Sequence, residues 1–435
     1  MPVSERKVTA APSGYESLTG GFGKIWRDAR QALAELPRGQ RILHIVWLLG
    51  PFILLIERSP ADAWLTLLAL AFVVRVLWRR ETGWLKVFWV QAGFAFWGVC
   101  LLSAAVSSDP AYALGEAFVW IRFPLFAMAS VFWLGRDKRL LYAMLLSTAL
   151  GLVMMCGILT AEILIEGQKG GRLSWPYGDL VPGNYLAKVG LPAFTIMVAL
   201  AVSAEKKLAS IAGIIALITL FFSLMTGERI NFLIRACGGM LAGLLWRPKW
   251  RRYLALVVIE ILAVVIAFQA VPEMGNRYVN SFIESLPTSQ ESPYYKAMYP
   301  GLMAFETAPG LGIGTGNFRN MCPDIVADEP NLECHPHPHN FYIQLAGETG
   351  IVGLIFGMAF LGAIVWKCLK AGWRRRDNVV LATAWVVPFG LFWPVASSAD
   401  FFGQWNNIFM WSAVALALAS ANLADTGPEA SQSKP

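Results

Sequence analysis

The sequence lacks several features that would point to soluble chemistry. No paired Cys or His spacing builds a zinc or other metal centre, and histidine occurs at only four positions. No stacked basic-aromatic surface or DNA-binding motif accompanies the net charge of +7, so nucleic acid does not account for that charge. No internal repeat divides the chain into halves, and no low-complexity segment appears beyond the polar stretch ADTGPEASQSKP. No apolar core with a small-residue cleavage site precedes Ile42, so a cleavable signal is not expected. What the chain has in abundance is apolar surface: 56% hydrophobic residues, 18 Trp and a mean hydropathy of +0.52, far outside the soluble range.

An all-α polytopic membrane protein is the expected class. Crossing ~30 Å of hydrocarbon takes roughly 20 apolar residues, and runs of that kind recur from Ile42 to Leu423. The expected spans are 42–56, 60–78, 87–106, 114–135, 140–165, 185–203, 208–226, 231–246, 253–271, 340–366, 379–396 and 408–423, about twelve transmembrane helices. Counts of eleven to thirteen stay open, because the first span contains Pro51 and only GERIN separates the seventh from the eighth. Basic side chains are retained on the cytoplasmic side during insertion. With a cytoplasmic N-terminus, the inside loops RRETGWLK, RDKR, EKK, RPKWRR and KCLKAGWRRRD carry 17 Lys and Arg, whereas the short outside connections carry only Arg58, Lys169, Arg172 and Arg229. Both termini are therefore expected in the cytoplasm.

The layout is then a cytoplasmic arm (1–41), spans one to nine (42–271), one large periplasmic loop between spans nine and ten (272–339), spans ten to twelve (340–423) and a cytoplasmic tail (424–435). In the arm, Trp26, Ala29, Leu33 and Leu36 recur at helical spacing among Lys24, Arg27, Arg30 and Arg38. That pattern reads as an interfacial amphipathic helix, the alternative being a disordered arm. A second, shorter outside loop is 166–184. The large loop contains the helical stretch YYKAMYPGLMAFETA, a Gly-rich turn PGLGIGTGNF and an acidic run DIVADEPNLE. Its Cys322 and Cys334, in an oxidising compartment, are expected to form a disulfide at the base of the segment leading into HPHPH. Cys100, Cys156, Cys237 and Cys368 read as buried thiols, and His44 as a headgroup contact.

An ionised side chain at mid-bilayer costs at least ~2.5–3.5 kcal/mol, so it is kept where it has a partner or faces water. Arg122, Lys188 and Arg235 fall in the outer third of their spans, and Arg229 at the outer end of TGERINFLIR. They share one depth and one sign, and only Glu116, Glu162 and Glu228 lie at that level to neutralise them. Such a cluster asks for an anion, and a phosphate or pyrophosphate headgroup of a lipid fits. The competing reading has Arg122 and Lys188 snorkelling singly and Arg229 pairing with Glu228.

In HPHPHN, residues 335–340, two prolines favour polyproline II, with three residues per turn and a rise of ~3.1 Å. His335, His337 and His339 are then expected to splay around the axis and not to converge on one metal ion. From His339 the pattern changes: HNFYIQLAGETGIVG places His339 and Asn340 ahead of Gly350-x-x-Gly353. This spacing resembles the signature of the O-antigen ligase family and of its relatives, the O-antigen polymerases and protein O-oligosaccharyltransferases. PGLGIGTGNF at 309–318 resembles their Pro-x-x-Gly-x-Gly element, TGERINFL their Gly-x-Arg segment and VPGNYLA their Pro-x-Asn segment. One departure stands out. Where the family carries an arginine upstream of the Gly-rich element, followed a turn later by Trp, this chain reads SPYYKAMY, with Tyr294 or Tyr295 at the Arg place and Tyr299 near the Trp. A loop contact to phosphate then falls to Lys296, Arg277 or Arg319.

The resemblance implies an inverting, metal-independent glycosyltransferase without a cofactor, in the inner membrane of a Gram-negative bacterium, with its site facing the periplasm. It would move O-antigen glycan from undecaprenyl-pyrophosphate to a lipid A core hydroxyl in lipopolysaccharide biosynthesis. On that scheme His339 is the general base, since an imidazole of pKa about 6.5 is largely neutral near pH 7. Arg122, Lys188, Arg229 and Arg235 would bind the pyrophosphate. Asn340, Lys296, Arg319 and Glu348 are the supporting candidates: Asn340 orients the imidazole or caps the helix, and Glu348 pairs with a loop cation. An O-antigen polymerase and a protein O-oligosaccharyltransferase are the alternative activities. A lipid or anion transporter is the alternative of a different class, against which stand the missing repeated halves and midplane charges.

Overall fold

The computed structural model describes residues 21–178, 180–375 and 378–424. In chain order the main helices are α1 (Gly21–Glu35), α2 (Arg38–Leu48), α3 (Arg58–Arg79), α4 (Phe88–Ala105), α5 (Pro110–Leu134), α6 (Lys138–Ile165), α7 (Leu191–Ser203), α8 (Lys206–Met225), α9 (Arg229–Leu245), α10 (Trp250–Ala270), α11 (Pro293–Thr307), α12 (Phe318–Ile325), α13 (Phe341–Arg374), α14 (Val379–Leu391) and α15 (Gln404–Asn422). Among the described residues there is no strand, only one isolated bridge between Lys169 and Arg172. Helices are what apolar segments form when no water is at hand to satisfy the backbone. Their starts are set by local chemistry: Asp109 accepts from the Tyr112 amide ahead of Pro110, and Asp137 from that of Arg139.

Seven helices (α3, α4, α5, α6, α8, α10 and α13) are long and apolar enough to cross a membrane, and α7 joins Val181–Val189 across a 58° bend to give an eighth. The protein is thus a multi-pass membrane protein. The four other expected spans are helical but short, broken or polar at one end. α2 stops before Gly50–Ile53, α9 has 17 residues, α14 is a shorter apolar helix, and α15 opens on Gln404, Asn406 and Asn407. Nearly every residue of α15 is buried, so it forms the centre, packed on α5 and α13. α4 lies along α13, and α7 packs against both α8 and α9. α10 buries only Ala267 and is peripheral.

α13 is broken at Gly350, whose φ of 65° and ψ of −170° suit glycine alone. A break frees backbone groups, and the Gly-rich segment takes them up. Ile313 and Gly314 donate to the carbonyls of Gly347 and Glu348 (3.0 Å each), and Ile351 donates to Pro309 (2.9 Å). A Cβ on Gly350 would sit 2.2 Å from the Gly310 oxygen, and one on Gly312 2.2 Å from the Glu348 carbonyl carbon. The two glycine motifs are therefore the two halves of one backbone-to-backbone joint.

Three expectations are corrected. α1 is an ordered helix docked on α6, with Arg139 2.6 Å from Glu35, and it buries Ile25, Ala29 and Ala32 while Trp26 stays exposed. The buried stripe is thus rotated from the expected one; the rest of the arm, 1–20, and the tail from 425 lie outside the described residues. His44 is no headgroup contact: it is buried, with Nδ1 2.7 Å from the Gln40 carbonyl and its ring edge-on to Trp133. Cys100, Cys156 and Cys368 are buried, but Cys237 is exposed on α9.

Candidate functional site

At one end of the bundle a cavity of about 290 Å³ gathers side chains from segments spread between Arg172 and Met410. His337 and His339 line it from the lead-in to α13, Asn184 and Lys188 from the bent segment before α7, and Glu228, Arg229 and Asn231 from the start of α9. Arg172 reaches it from the 166–184 loop, Arg277 and Tyr294 from the long loop, and Ser397 and Ser398 from the connection between α14 and α15.

His339 owes its place to its backbone. Its φ is +53°, and its carbonyl accepts from the Ser398 amide at 2.8 Å. Asn340 then caps α13, accepting from the amides of Tyr342 (3.0 Å) and Ile343 (3.2 Å) while its Nδ2 donates to the Pro394 carbonyl (2.8 Å). Of its two expected roles, this is the cap. The positive φ ends the polyproline run, so the rings do not splay: the His337 centroid lies 4.3 Å from that of His339, and the His335 centroid 5.1 Å. Among the described residues, no three His, Cys, Asp or Glu side chains are grouped to hold a metal ion. Burial pushes His339 down to about 4, and the neighbouring His337 and His335 add to the effect. His337 is lowered by burial as well, and its Nε2 is buried without a partner.

The cavity is rich in cations. Lys188 is buried and donates to Asn406 Oδ1. Arg229 lies 5.7 and 5.9 Å from the ring centroids of Phe282 and Tyr294, and its Nη1 is buried without a partner. Arg277 donates from Nε to the Gly227 carbonyl at 2.7 Å; burial, together with nearby Arg172 and Arg229, lowers its pKa. Glu228 is the one carboxylate among the described lining residues, accepting from the Gly183 amide (3.2 Å) and from Asn231 Nδ2. Burial pushes it up to about 7. Gly227 lets the 166–184 loop cross this turn, since a Cβ there would meet the Gly171 oxygen at 2.3 Å.

Two of the four expected pyrophosphate ligands are elsewhere. Arg122 pairs with Asp62 at 2.8 Å and donates to Thr66 Oγ1 at 3.1 Å. Arg235 is fully buried, donating to the Leu186 carbonyl and to Thr219 Oγ1 (2.6 Å), with its guanidinium 4.0 Å from the Phe194 centroid. Glu162 holds the 166–184 loop through the amides of Ser174 (2.7 Å) and Trp175 (2.9 Å) and neutralises no cluster member. Lys296 pairs with Glu291 at 3.0 Å and Arg319 with Asp400 at 2.6 Å, both away from the cavity lining. Glu348 meets no loop cation; it accepts from the amides of Gly316 (2.6 Å) and Phe318 (3.3 Å), so it too belongs to the joint between loop and helix. Cys322 and Cys334 form a disulfide, with a Cα separation of 5.7 Å.

Residues 214–358 match the family described as O-Antigen ligase. This part of the chain is an O-antigen ligase family domain. It carries Glu228, Arg229, Arg277, Tyr294, His337, His339 and both glycine motifs; Arg172, Lys188 and Ser398 reach the cavity from outside it. No curated protein matches the sequence. A chain solved in a peptidoglycan synthase complex, studied for its structural coordination of polymerization and crosslinking, is 16% identical and covers 78% of this chain and 98% of its own, with a TM-score of 0.45. At that level the likeness carries no argument.

Of the residues singled out in the sequence, His339, Lys188, Arg229 and the alternative Arg277 line the cavity. His337, Ser397 and Ser398 line it too without having been assigned a role; the polar SSAD stretch that holds the two serines follows directly on an apolar span.

Proposed function

We propose that this cavity transfers a glycan from a polyprenyl-pyrophosphate donor to a sugar hydroxyl, as an O-antigen ligase acting on the lipid A core. The carrying observation is that one cavity joins a neutral imidazole to Lys188, Arg229, Arg277 and Arg172, with Glu228 as the one carboxylate among its described lining residues. His339 accepts the proton of the attacking hydroxyl. The hydroxyl oxygen bonds to the anomeric carbon as the bond to the pyrophosphate oxygen breaks, which inverts the centre. The cations take up the charge that develops on the leaving group, and Arg supplies paired donors to phosphate oxygens. A histidine near 4 is a weak base, but a bound pyrophosphate raises its pKa toward the useful range. Of the three candidates for the missing loop arginine, Arg277 is the one in the lining, so it takes that role. Arg122 and Arg235 serve the bundle.

A second, apolar cavity of about 400 Å³ between α9 and α14 shares Ile230, Ile234, Trp393 and Ala396 with the first. It offers the donor's isoprenoid chain a route to the bilayer. The test is to express His339→Ala in a Gram-negative host that lacks its own ligase, with the host's polymerase intact, and to resolve its lipopolysaccharide. The expected result is loss of long glycan on the lipid A core, with polymerised glycan accumulating on the lipid carrier. Wild-type amounts of long glycan would remove His339 as the base. If the wild-type protein yields no core-linked glycan but lengthens carrier-linked chains, the activity is that of a polymerase.

A further inference from the structure

Three residues that line the histidine cavity each carry a buried polar atom with no partner among the described residues: Arg229 Nη1, His337 Nε2 and Ser398 Oγ. Buried polar atoms are as a rule paired, so each of these marks a place for a ligand atom. They differ in what they can pair with. The guanidinium only donates, which suits a phosphate oxygen. Nε2 of a neutral imidazole accepts or donates according to its tautomer, and a serine hydroxyl does both. A sugar hydroxyl answers either of them, whereas an ionised phosphate oxygen can only accept.

His337 and Ser398 are held beside His339 as one unit. His337 and His339 flank Pro338, which packs against Gly301 of α11, where a Cβ would lie 2.6 Å from the proline Cβ. The centroids of the two imidazoles are 4.3 Å apart, with the ring planes tilted by 49°. The Ser398 amide donates to the His339 carbonyl at 2.8 Å, and Asn340 Nδ2 donates to the Pro394 carbonyl of the same connection at 2.8 Å. The side chains are therefore fixed relative to one another before any ligand arrives.

We propose that His337 and Ser398 form the acceptor subsite, binding the sugar hydroxyl that neighbours the one His339 deprotonates. The acceptor is then a sugar with two free adjacent hydroxyls, one that attacks and one that is recognised. This assignment rests on the glycan-transfer reading for the role of His339. Neither His337 nor Ser398 takes a proton in the reaction; they hold the acceptor ring so that its attacking oxygen faces the anomeric carbon. The donor's phosphates fall to the cations on other elements, Lys188 before α7, Arg229 on α9 and Arg277 in the long loop.

The test uses the full-length protein in detergent, with a polyprenyl-pyrophosphate-linked glycan as donor and a lipid A core as acceptor. His337→Ala and Ser398→Ala should each raise the acceptor KM by roughly three- to tenfold, the worth of one neutral hydrogen bond, and leave the donor KM unchanged. Ser398→Ala keeps the amide that holds His339, so it reads the hydroxyl alone. His337→Gln, whose amide also donates and accepts, should recover part of the loss. A set of acceptors each lacking one hydroxyl adds a reading that a merely structural role would not move. One of them should cost the wild-type protein the same factor as His337→Ala and cost that variant little more. A rise in donor KM with acceptor KM unchanged, or the same loss on every deoxy acceptor in wild type and His337→Ala, overturns the proposal. Absence of transfer by the wild-type protein counts against the glycan-transfer reading. Binding of the lipid A core without donor, followed by native mass spectrometry, then decides the subsite: weaker binding in both Ala variants supports it, and unchanged binding, or none by wild type, overturns it.

Discussion

A histidine that is to take a proton must be neutral first, and the packing around His339 arranges that. Burial and two neighbouring imidazoles hold it near 4, below the ordinary value of about 6.5. Its charged form is therefore the disfavoured one, and the acid limb of kcat/KM, which reports the free protein, should fall near pH 4 to 5. The acid limb of kcat should lie higher, because the bound pyrophosphate favours the imidazolium. A kcat/KM limb at the ordinary histidine value would show that His339 is not the titrating base. Glu228 has the opposite sign: held up to about 7, it ionises above that pH and puts a negative charge among the cations. The donor KM should rise above pH 7 in the wild-type protein and stay flat in Glu228→Gln. Arg277 and Lys296 separate lining from proximity in sequence. Arg277→Ala should raise the donor KM about tenfold or more, the worth of a charge-assisted hydrogen bond, whereas Lys296→Ala, which breaks only the contact with Glu291, should leave it unchanged.

At the scale of elements, the broken helix α13 explains why two glycine-rich motifs far apart in sequence go together. Gly350→Ala puts a Cβ 2.2 Å from the Gly310 oxygen and forces an alanine into a backbone region reserved for glycine. The conformational cost alone is about 1–3 kcal/mol. The expected outcome is a lowered thermal midpoint in detergent, with transfer lost through displacement of the lead-in that carries His339. Gly362→Ala, on the same helix with nothing within 4 Å, is the control and should be neutral or slightly stabilising. Equal midpoints for the two variants would mean that the joint contributes nothing. The sequence shows both motifs plainly but not that they touch, because the contact joins 309–314 to 347–352 through backbone groups that leave no side-chain signature. The four intramembrane cations teach a related lesson. Hydropathy gives the depth of a residue in a span but not its azimuth, so Arg122 and Arg235 share a level with Lys188 and Arg229 while facing Asp62 and Phe194. The long apolar spans and His339 at a helix start were legible because each depends on a short stretch; the convergence of Arg172, Arg277 and Ser398 depends on the whole bundle.

For the whole molecule, contacts between helix ends constrain how often the chain crosses the bilayer. Arg229 and His339 line one cavity, so the chain between them must cross an even number of times. If α10, which is long enough to cross, does so, then α9 has to cross too; its 17 residues span about 25 Å at 1.5 Å per residue, close to the ~30 Å required. His339 and Ser398 share the same cavity, so α14 must bring the chain back after α13. The first crossing follows in the same way. Glu35 pairs with Arg139 at the start of α6, while Arg58 lies 5.4 Å from the Trp405 ring at the start of α15, near the cavity end, so α2 and Gly50–Ile53 must traverse between them. Taken with the seven long helices, the bent pair and a final passage through α15, these pairings are what the expected twelve crossings would require, with α1 and the end of α15 on one side and the histidine cavity on the other. Single cysteines in a background with Cys237→Ser, labelled in intact spheroplasts by a membrane-impermeant maleimide, check the count. Lys169→Cys and Glu291→Cys should label at once. Arg79→Cys and Lys206→Cys should label only after the membrane is permeabilised. If Glu291→Cys and Lys169→Cys behave oppositely, α9 does not cross, and the cavity that joins Arg229 to His339 cannot form in a bilayer.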